Sequence, residues 1–136
     1  MTEAAEPAVA EDPGHGGLQL RMTAGPARFV ADEPISLGGL DLGPTPHDLV
    51  SAGLAACTAQ TLRLYAKRKG WALGPVRGEV SHSRDVAHSP PDLFNRTITL
   101  GGEIDAEQRQ RLLEIAEKCP VHLMLTAGSR VATALG

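Results

Sequence analysis

Aromatic side chains are scarce in this chain, and their scarcity argues against some functions. Phe, Trp and Tyr make up only 3% of its 136 residues, so there is no aromatic platform on which single-stranded nucleic acid could stack. The formal net charge is −3, and the basic run at residues 67–69 is too short to form the cationic face that phosphate-backbone binding needs. We therefore expect no nucleic-acid partner.

Long apolar runs are also missing. No stretch reaches the roughly 18 apolar residues of a membrane-spanning helix, so no membrane partner is expected. Residues 1–16 contain acidic residues where a secretory signal has a basic and then an apolar region. We predict that residues 1–16 form a disordered tail and that residues 17–136 form a single domain. The predicted location is cytoplasmic.

Cysteine occurs only twice, as Cys57 and Cys119. Thiols in the cytoplasm are normally kept reduced, so a cysteine pair there more often indicates redox or metal chemistry than a static disulfide. The spacing of these thiols, with His47 and His122 as the nearest histidines, matches no standard zinc site, and we expect neither a metal nor a cofactor. Free cysteine also often serves as a small buried hydrophobe, so position alone leaves both residues ambiguous.

Alternating apolar and polar residues predict the strands. A strand pair is expected between residues 17 and 37, and further strands over 76–84, 93–101 and 130–135. In the strand over 93–101, Arg96 lies on the apolar face. An unpaired guanidinium there would be costly, so we predict an anionic partner for it, either a thiolate, Asp48 or a structural salt bridge within a dimer.

Capping signals predict the first helix. It is expected to begin after Thr45, with Asp48 in capping-box spacing, and to end near Lys69 before Gly70. Residues 49–59 are apolar or small almost all the way round, which is typical of a helix buried on most sides. The small residues would also let another backbone approach closely. We expect a second subunit to provide part of the cover.

A second helix is predicted to begin at Asp105, with Gln108 as its capping-box partner, and to be interrupted by Pro120. A short helical segment over 121–125 follows. Cys119 either caps that segment, which would place its sulfur near free N–H groups, or belongs to the last turn of the preceding helix, where the dipole disfavours a thiolate. The sequence leaves both positions open.

Two segments, each with one cysteine, resemble signatures of the OsmC/Ohr family. Residues 43–71, GPTPHDLVSAGLAACTAQTLRLYAKRKGW, are similar to its central helix, and Pro46 and Cys57 have the spacing of the helix-opening proline and the peroxidatic cysteine. Residues 112–125, LLEIAEKCPVHLML, are similar to the segment around its resolving cysteine. Because residues 31–46 also resemble a run in a subgroup of OsmC-like proteins, the resemblance covers about residues 28–135.

The resemblance implies an α+β fold, the OsmC-like fold, in which two chains form an intertwined homodimer with β-sheets wrapped around two central helices. It also implies reduction of organic hydroperoxides, with Cys57 oxidised to a sulfenic acid and Cys119 condensing with it to a disulfide. A dithiol, of the lipoyl type in the Ohr branch, would restore the thiols. The alternative is an OsmC-fold dimer that senses redox state or binds a small molecule without efficient peroxidase activity.

The family's site also uses an arginine and a glutamate, and the chain departs from the pattern at both. His47 occupies the position of the glutamate, and Asp48 beside it is the nearest acidic substitute, with helix capping as its alternative role. Arg28 and Arg96 are candidates for the arginine, together with Arg21. Finally, His122 is a candidate hydrogen-bond donor to a sulfur, with packing or a helix-end role as the alternative.

Overall fold

The computed structural model describes residues 6–136, and their secondary structure is mixed α+β, as the resemblance implied. In chain order the elements are β1 (Val9–Glu11), β2 (Leu20–Ala24), β3 (Ala27–Ala31), a 3-10 helix (Ile35–Leu37), α1 (Pro46–Lys69), β4 (Leu73–Arg84), β5 (Asp92–Gly102), α2 (Ala106–Ala116) and α3 (Pro120–Ala127). The chain divides into two compact units, Met1–Val50 and Ser51–Gly136, with the boundary inside α1. The single domain over 17–136 stays a prediction.

The first unit contains a three-stranded antiparallel sheet in the order β1–β2–β3. Strands β2 and β3 form the predicted strand pair. Strand β1 lies inside the predicted disordered tail, so that prediction is wrong for residues 9–11, where Val9 pairs with Thr23. The edge of β2 offers unpaired backbone N–H and C=O groups, and a short extended segment satisfies them whatever its composition. Residues 1–5 lie outside the described residues.

After β3 the chain enters the Gly- and Pro-rich loop, which is organised around the buried carboxylate of Asp32. One carboxylate oxygen accepts hydrogen bonds from the backbone N–H of Glu33 at 2.8 Å and the side chain of Gln19 at 2.9 Å. The other accepts from the backbone N–H groups of Leu40 and Leu42, both at 3.1 Å. A single side chain therefore satisfies three backbone donors that no strand or helix pairs.

Helix α1 begins and ends where the capping signals predicted. The Thr45 N–H donates to the Asp48 carboxylate and the Asp48 N–H donates to Thr45 Oγ1, each at 3.0 Å, which is the reciprocal pattern of a capping box. At the other end, Gly70 follows the last helical residue with a φ of +70°. Glycine adopts this left-handed conformation without steric cost, so the helix stops there.

The second unit is built on the antiparallel β4–β5 hairpin, which contains the strands predicted over 76–84 and 93–101. Its core packs residues of α1 and α2 against one face of this hairpin. The buried members are Leu62, Ala66, Leu73, Leu112, Ile115 and Ala116. At Gly78 an added Cβ would lie 3.1 Å from the carbonyl oxygen of Ala55, so β4 and α1 approach closely where the small residues of the helix predicted it.

The face of α1 opposite this core is not covered by its own unit. Within the second unit the buried residues of α1 recur every fourth position as Leu54, Thr58, Leu62 and Ala66. Ala52, Gly53 and Ala56, by contrast, are exposed. The predicted burial on most sides is therefore not provided by this part of the chain.

Two expectations for the end of the chain have opposite outcomes. The short helix after Pro120 is confirmed as α3. The strand predicted over 130–135 is wrong, since residues 128–136 form no helix or strand, and Val131 and Leu135 are exposed. Alternation marks a segment that could pair, but a strand needs a partner edge as well. No helix formed by the described residues is long and apolar enough to cross a membrane.

Candidate functional site

Cys119 is fully buried at the junction between α2 and α3. Its backbone is extended, Pro120 occupies the first turn of α3, and its Sγ accepts a hydrogen bond from the backbone N–H of His122 at 3.3 Å. Of the two positions that the sequence left open, the structure selects the cap of α3. A helix N-terminus favours negative charge on a sulfur, so this placement suits a reactive thiol better than the alternative.

The Cys119 sulfur contacts α1 at Thr58, whose Oγ1 lies 4.0 Å away. Thr58 is also fully buried, and its hydroxyl donates to the carbonyl oxygen of Leu54 at 2.7 Å. A hydroxyl has one proton and two lone pairs. Since the proton points at Leu54, the Thr58 oxygen meets its other neighbours as an acceptor, and the thiol of Cys119 is the donor in their contact.

Arg96 contacts the same threonine from β5. Its Nη1 donates to Thr58 Oγ1 at 3.1 Å, and its Nη2 donates to Nδ1 of His122 at 3.0 Å. Within residues 6–136 Arg96 forms no ion pair, and an anionic partner from a second chain stays a prediction. A half-buried guanidinium needs acceptors for its N–H groups, and here a hydroxyl oxygen and an imidazole nitrogen serve in place of a carboxylate.

The contact with Arg96 fixes the protonation of the His122 ring. A guanidinium can only donate, so Nδ1 of His122 must be the acceptor and carries no proton. The ring proton of the neutral imidazole is then on Nε2, which lies 3.3 Å from the carboxylate of Glu117. His122 therefore connects an exposed carboxylate to the guanidinium through a neutral ring. Its backbone N–H meanwhile donates to the Cys119 sulfur at 3.3 Å, and a donor role of the His122 side chain toward a sulfur stays a prediction.

Cys57 directly precedes Thr58 on α1 and is partly buried. Its Sγ lies 3.9 Å from Oγ1 of Thr61, one helical turn further on. Both cysteines are free thiols. Because the Cys119 sulfur contacts Thr58, it lies against α1 beside the residue that follows Cys57 in the chain. Within the described part of the chain, the Cys57 sulfur forms no hydrogen bond with an arginine.

The other predicted site residues belong to the Met1–Val50 unit. Asp48 caps α1 through Thr45, which is the alternative role considered for it. His47 is exposed in the first turn of α1, and Arg28 is exposed on β3. Roles for these residues beside Cys57 stay predictions.

Two members of the site are absent from the sequence-based predictions. Thr58 carries a signal that could have found it: it is a polar residue at four-residue spacing between Leu54 and Leu62, in the middle of an apolar helix. A polar side chain on a buried stripe needs partners of its own. Glu117 carries no comparable signal, since an acidic residue near a helix end is ordinarily a solvated surface group.

Comparison with known proteins places the chain in one family. The model of the family described as OsmC-like protein matches residues 38–134. The structure resembles that of an OsmC-like protein from Mycoplasma pneumoniae, with a TM-score of 0.76, 17% identity, and coverage of 92% of this chain and 89% of that chain. No curated protein matches.

Two further similar structures are those of organic hydroperoxide resistance proteins. For OhrB of Bacillus subtilis the TM-score is 0.58 at 26% identity, covering 85% of this chain and 86% of that chain. For the protein from Elizabethkingia anophelis the TM-score is 0.65 at 25% identity, and the match covers 89% of this chain and 87% of that chain. Since the family model spans well over half of the sequence, this chain belongs to the OsmC-like protein family.

Proposed function

We propose that this protein is a thiol-dependent peroxidase that reduces organic hydroperoxides with Cys57 and Cys119. The observation that carries the proposal is the contact between the buried Cys119 sulfur and Thr58, the residue after Cys57. This contact places the Cys119 sulfur against the helix that contains Cys57, and the two residues, the only cysteines of the chain, are both free thiols. Membership of the OsmC-like family, with two organic hydroperoxide resistance proteins among the similar structures, supports the same chemistry.

In the first step the Cys57 thiolate attacks the terminal oxygen of the hydroperoxide. An S–O bond forms, the O–O bond breaks, and the alkoxide leaves as an alcohol after taking up a proton, so that the peroxide is reduced and Cys57 becomes a sulfenic acid. Cys57 suits this role better than Cys119 because its side chain is partly exposed and that of Cys119 is fully buried. A peroxide must reach the sulfur that it oxidises.

In the second step Cys119 attacks the oxidised sulfur. An S–S bond forms, the S–O bond breaks, and the hydroxide leaves as water with the proton that the Cys119 thiol gives up. An external dithiol then reduces the disulfide by thiol–disulfide exchange and becomes a disulfide itself. We propose a reductant of the lipoyl type, as the resemblance implies.

We assign the arginine of this site to Arg96 rather than to Arg28. Arg96 donates to Thr58, which contacts one cysteine and is the chain neighbour of the other. Arg96 therefore supplies a positive charge next to the cysteine pair. At the Cys119 sulfur, charge of this sign favours the thiolate form that the attack on the oxidised Cys57 requires.

We propose that the functional protein is a homodimer. Helix α1 exposes small residues at Ala52, Gly53 and Ala56, and two turns after Ala56 it exposes Leu64, which is 63% exposed. An apolar helix face of this kind is typical of a surface that another protein covers. In the fold that the resemblance implies, the helices of an intertwined second chain would provide this cover.

One observation favours the alternative, an OsmC-fold dimer that senses redox state or binds a small molecule without efficient turnover. The Cys57 sulfur has a threonine hydroxyl beside it at 3.9 Å, and in residues 6–136 no cation forms a hydrogen bond with it. A thiol without a nearby cation reacts slowly with peroxides. The rate of Cys57 oxidation therefore separates the two functions.

The test is to add one equivalent of cumene hydroperoxide to the reduced protein and follow it by intact mass and non-reducing peptide mapping. The proposal predicts rapid loss of two hydrogen atoms and a crosslinked peptide containing Cys57 and Cys119. Cys57→Ser should abolish peroxide consumption, while Cys119→Ser should stop at a sulfenic or overoxidised Cys57. Slow or absent oxidation would exclude the peroxidase, and oxidation of Cys57 without recycling by dithiols would indicate the sensor.

A further inference from the structure

We propose that His122, supported by Glu117, is the positioning residue of Arg96, and that it takes the place of a carboxylate in holding the guanidinium beside the cysteine pair. The inference rests on the proposed function, since it concerns the reactivity of Cys119. Each terminal nitrogen of the Arg96 guanidinium has its own acceptor: Nη1 donates to Thr58 at 3.1 Å, and Nη2 donates to His122 at 3.0 Å.

The neutrality of both acceptors matters for the charge of the site. A carboxylate in ion-pair contact would orient the guanidinium but would also cancel most of its positive potential. Thr58 and His122 satisfy the N–H groups of Arg96 without a counter-charge, and no ion pair involves Arg96 among the described residues. The site therefore keeps an oriented positive charge next to the Cys119–Thr58 contact.

Glu117 makes this arrangement possible by selecting one form of the His122 ring. Its carboxylate lies 3.3 Å from Nε2, which favours the ring proton on that nitrogen and leaves Nδ1 free to accept from Arg96. A doubly protonated ring would have no acceptor for Arg96 and would place two cations in contact. Glu117 is 63% exposed and His122 21%, so solvent protons reach this pair although Cys119 is buried.

The positive charge of Arg96 acts on the disulfide-forming step because Arg96 contacts Thr58, and Thr58 contacts the Cys119 sulfur. In the reduced protein Thr58 accepts from Arg96 and donates to Leu54. When Cys119 gives up its proton, the Thr58 hydroxyl turns from the Leu54 carbonyl to the sulfur while Arg96 continues to donate to its oxygen. The developing thiolate thus gains a hydrogen bond that the guanidinium polarises.

The charged and titratable groups that contact His122 within residues 6–136 come from two places. Arg96 comes from β5, and Glu117 and Cys119 come from the α2–α3 junction. Protonation of the imidazole would break its contact with Arg96. We therefore expect disulfide formation to slow toward acid pH, as the imidazole takes up a second proton.

The test compares three variants by rapid quenching and mass spectrometry after addition of cumene hydroperoxide, recording sulfenic acid and disulfide separately between pH 5 and pH 8. His122→Leu removes the acceptor and should slow disulfide formation about tenfold or more, with sulfenic acid formation within about twofold of wild type. His122→Asn keeps an acceptor at the Nδ1 position but cannot be protonated. It should therefore retain most of the rate and flatten the acid side of its pH profile.

Glu117→Gln should slow disulfide formation at high pH, because a neutral amide favours the ring proton on Nε2 less than the carboxylate does. It should also reduce the loss of rate toward acid pH, because the carboxylate that would stabilise a doubly protonated ring is gone. The matched control is Glu114→Gln, a surface glutamate that pairs with Arg111 and should leave both rates and the pH profile unchanged. Because Glu117 is exposed, its variant remains informative even where His122→Leu fails to fold.

The outcomes separate this inference from the proposed function. If the wild-type protein forms no disulfide with peroxide, the peroxidase proposal fails. If wild type forms it and His122→Leu forms it equally fast, the positioning role fails while the peroxidase stands. The same conclusion follows if His122→Asn keeps the acid-side decrease of wild type.

Discussion

Thr58 joins the two halves of the candidate site through one oxygen atom. It accepts from Arg96, contacts the Cys119 sulfur and gives its own proton to the Leu54 carbonyl. Every hydrogen-bonding position of this hydroxyl is thus in use. The Thr58 side chain contacts both the arginine and a cysteine sulfur, whereas His122 reaches the Cys119 sulfur only through its backbone N–H, so substitutions at position 58 test the side-chain arrangement most directly.

We predict that Thr58→Val lowers the free energy of unfolding of the reduced protein by about 1–3 kcal/mol, because the volume is kept while Arg96 loses a buried acceptor. Thr58→Ser retains the oxygen and should cost less. Urea unfolding with a reductant present measures both. Thr61→Val is the control, since among residues 6–136 that hydroxyl has only the long contact with Cys57 at 3.9 Å. Equal stability of the Thr58→Val and Thr61→Val variants would contradict the role of Thr58.

Tyr65 is the only tyrosine of the chain, so its ionisation can be followed without overlap. The hydrogen bond from Arg111 Nε, 3.0 Å from the phenolic oxygen, lowers the pKa of Tyr65, and the charges of Arg111, Lys69 and Arg68 lower it further against the effect of burial. Each of these cations also lies near the face of the ring. The phenolate is therefore stabilised relative to the phenol.

We predict that Tyr65 ionises at lower pH in the folded protein than free tyrosine does, and that Arg111→Gln moves its pKa back up. Ultraviolet absorbance of the tyrosinate during a pH titration measures the shift. Arg109→Gln is the matched control, because Arg109 donates to the Leu100 carbonyl and not to the phenol. An unchanged titration curve in Arg111→Gln would show that the contact is absent in solution.

The sequence could indicate those features of the site that depend on neighbouring residues, but not those that depend on contacts between residues distant in the chain. The two cysteines were identified from motifs that surround them, and that identification stays a prediction. The need of Arg96 for a partner followed from its place on an apolar strand face, but the partner did not. Its acceptors, Thr58 and His122, come from a helix and a helix junction distant in sequence, and only the fold brings them together.

Among the elements, the loop after β3 depends on one titratable group. Burial by itself would raise the pKa of Asp32, but the hydrogen bonds from three backbone N–H groups and from Gln19 together lower it below the usual value of 3.8. Because the folded-state pKa lies below that of the unfolded chain, the carboxylate stabilises the fold above about pH 4. This stability is lost as the pH falls through the folded-state pKa.

We predict that Asp32→Asn destabilises the protein at pH 7 and removes this part of its acid sensitivity. An amide nitrogen would replace one carboxylate oxygen and face two donors, since each oxygen of Asp32 accepts two hydrogen bonds. Urea midpoints at pH 7 and near pH 3 measure both effects. Asp41→Asn, at an exposed position of the same loop, should leave both midpoints nearly unchanged. A pH dependence equal to that of wild type in Asp32→Asn would contradict the assignment.

Helices were predicted better than strands, for a physical reason. The capping boxes at Thr45 and Asp105 and the stop at Gly70 are chemistry between residues three or four apart, so the local sequence specifies them. A strand depends on an edge that another part of the chain supplies. Residues 9–11 pair with the edge of β2, whereas residues 130–135 pair with no strand of the described residues, although only the second segment has a strand-like sequence.

The assembly of the protein is testable through the uncovered face of α1. We predict that Leu64→Glu, at a position 63% exposed, weakens or abolishes a dimer, because it places a charge where an apolar partner surface is proposed. Sedimentation velocity across a range of concentrations measures the effect. Val86→Glu, in the β4–β5 turn and 84% exposed, is the matched control and should not change the oligomeric state. A wild-type protein that sediments as a monomer would exclude the dimer.

The sulfur of Cys119 also caps helix α3, so its oxidation should affect the backbone hydrogen bonding at the start of that helix. As a thiol it accepts the His122 N–H and so completes the first turn of α3. A disulfide with Cys57 would draw the sulfur toward α1 and leave that N–H without its acceptor. We expect the first amides of α3 to exchange with deuterium faster in the oxidised protein than in the reduced one, as hydrogen-exchange mass spectrometry would show. Equal exchange would mean that the disulfide forms without disturbing the cap. Faster exchange would mean that the opening of the first turn of α3 reports the redox state of the cysteine pair.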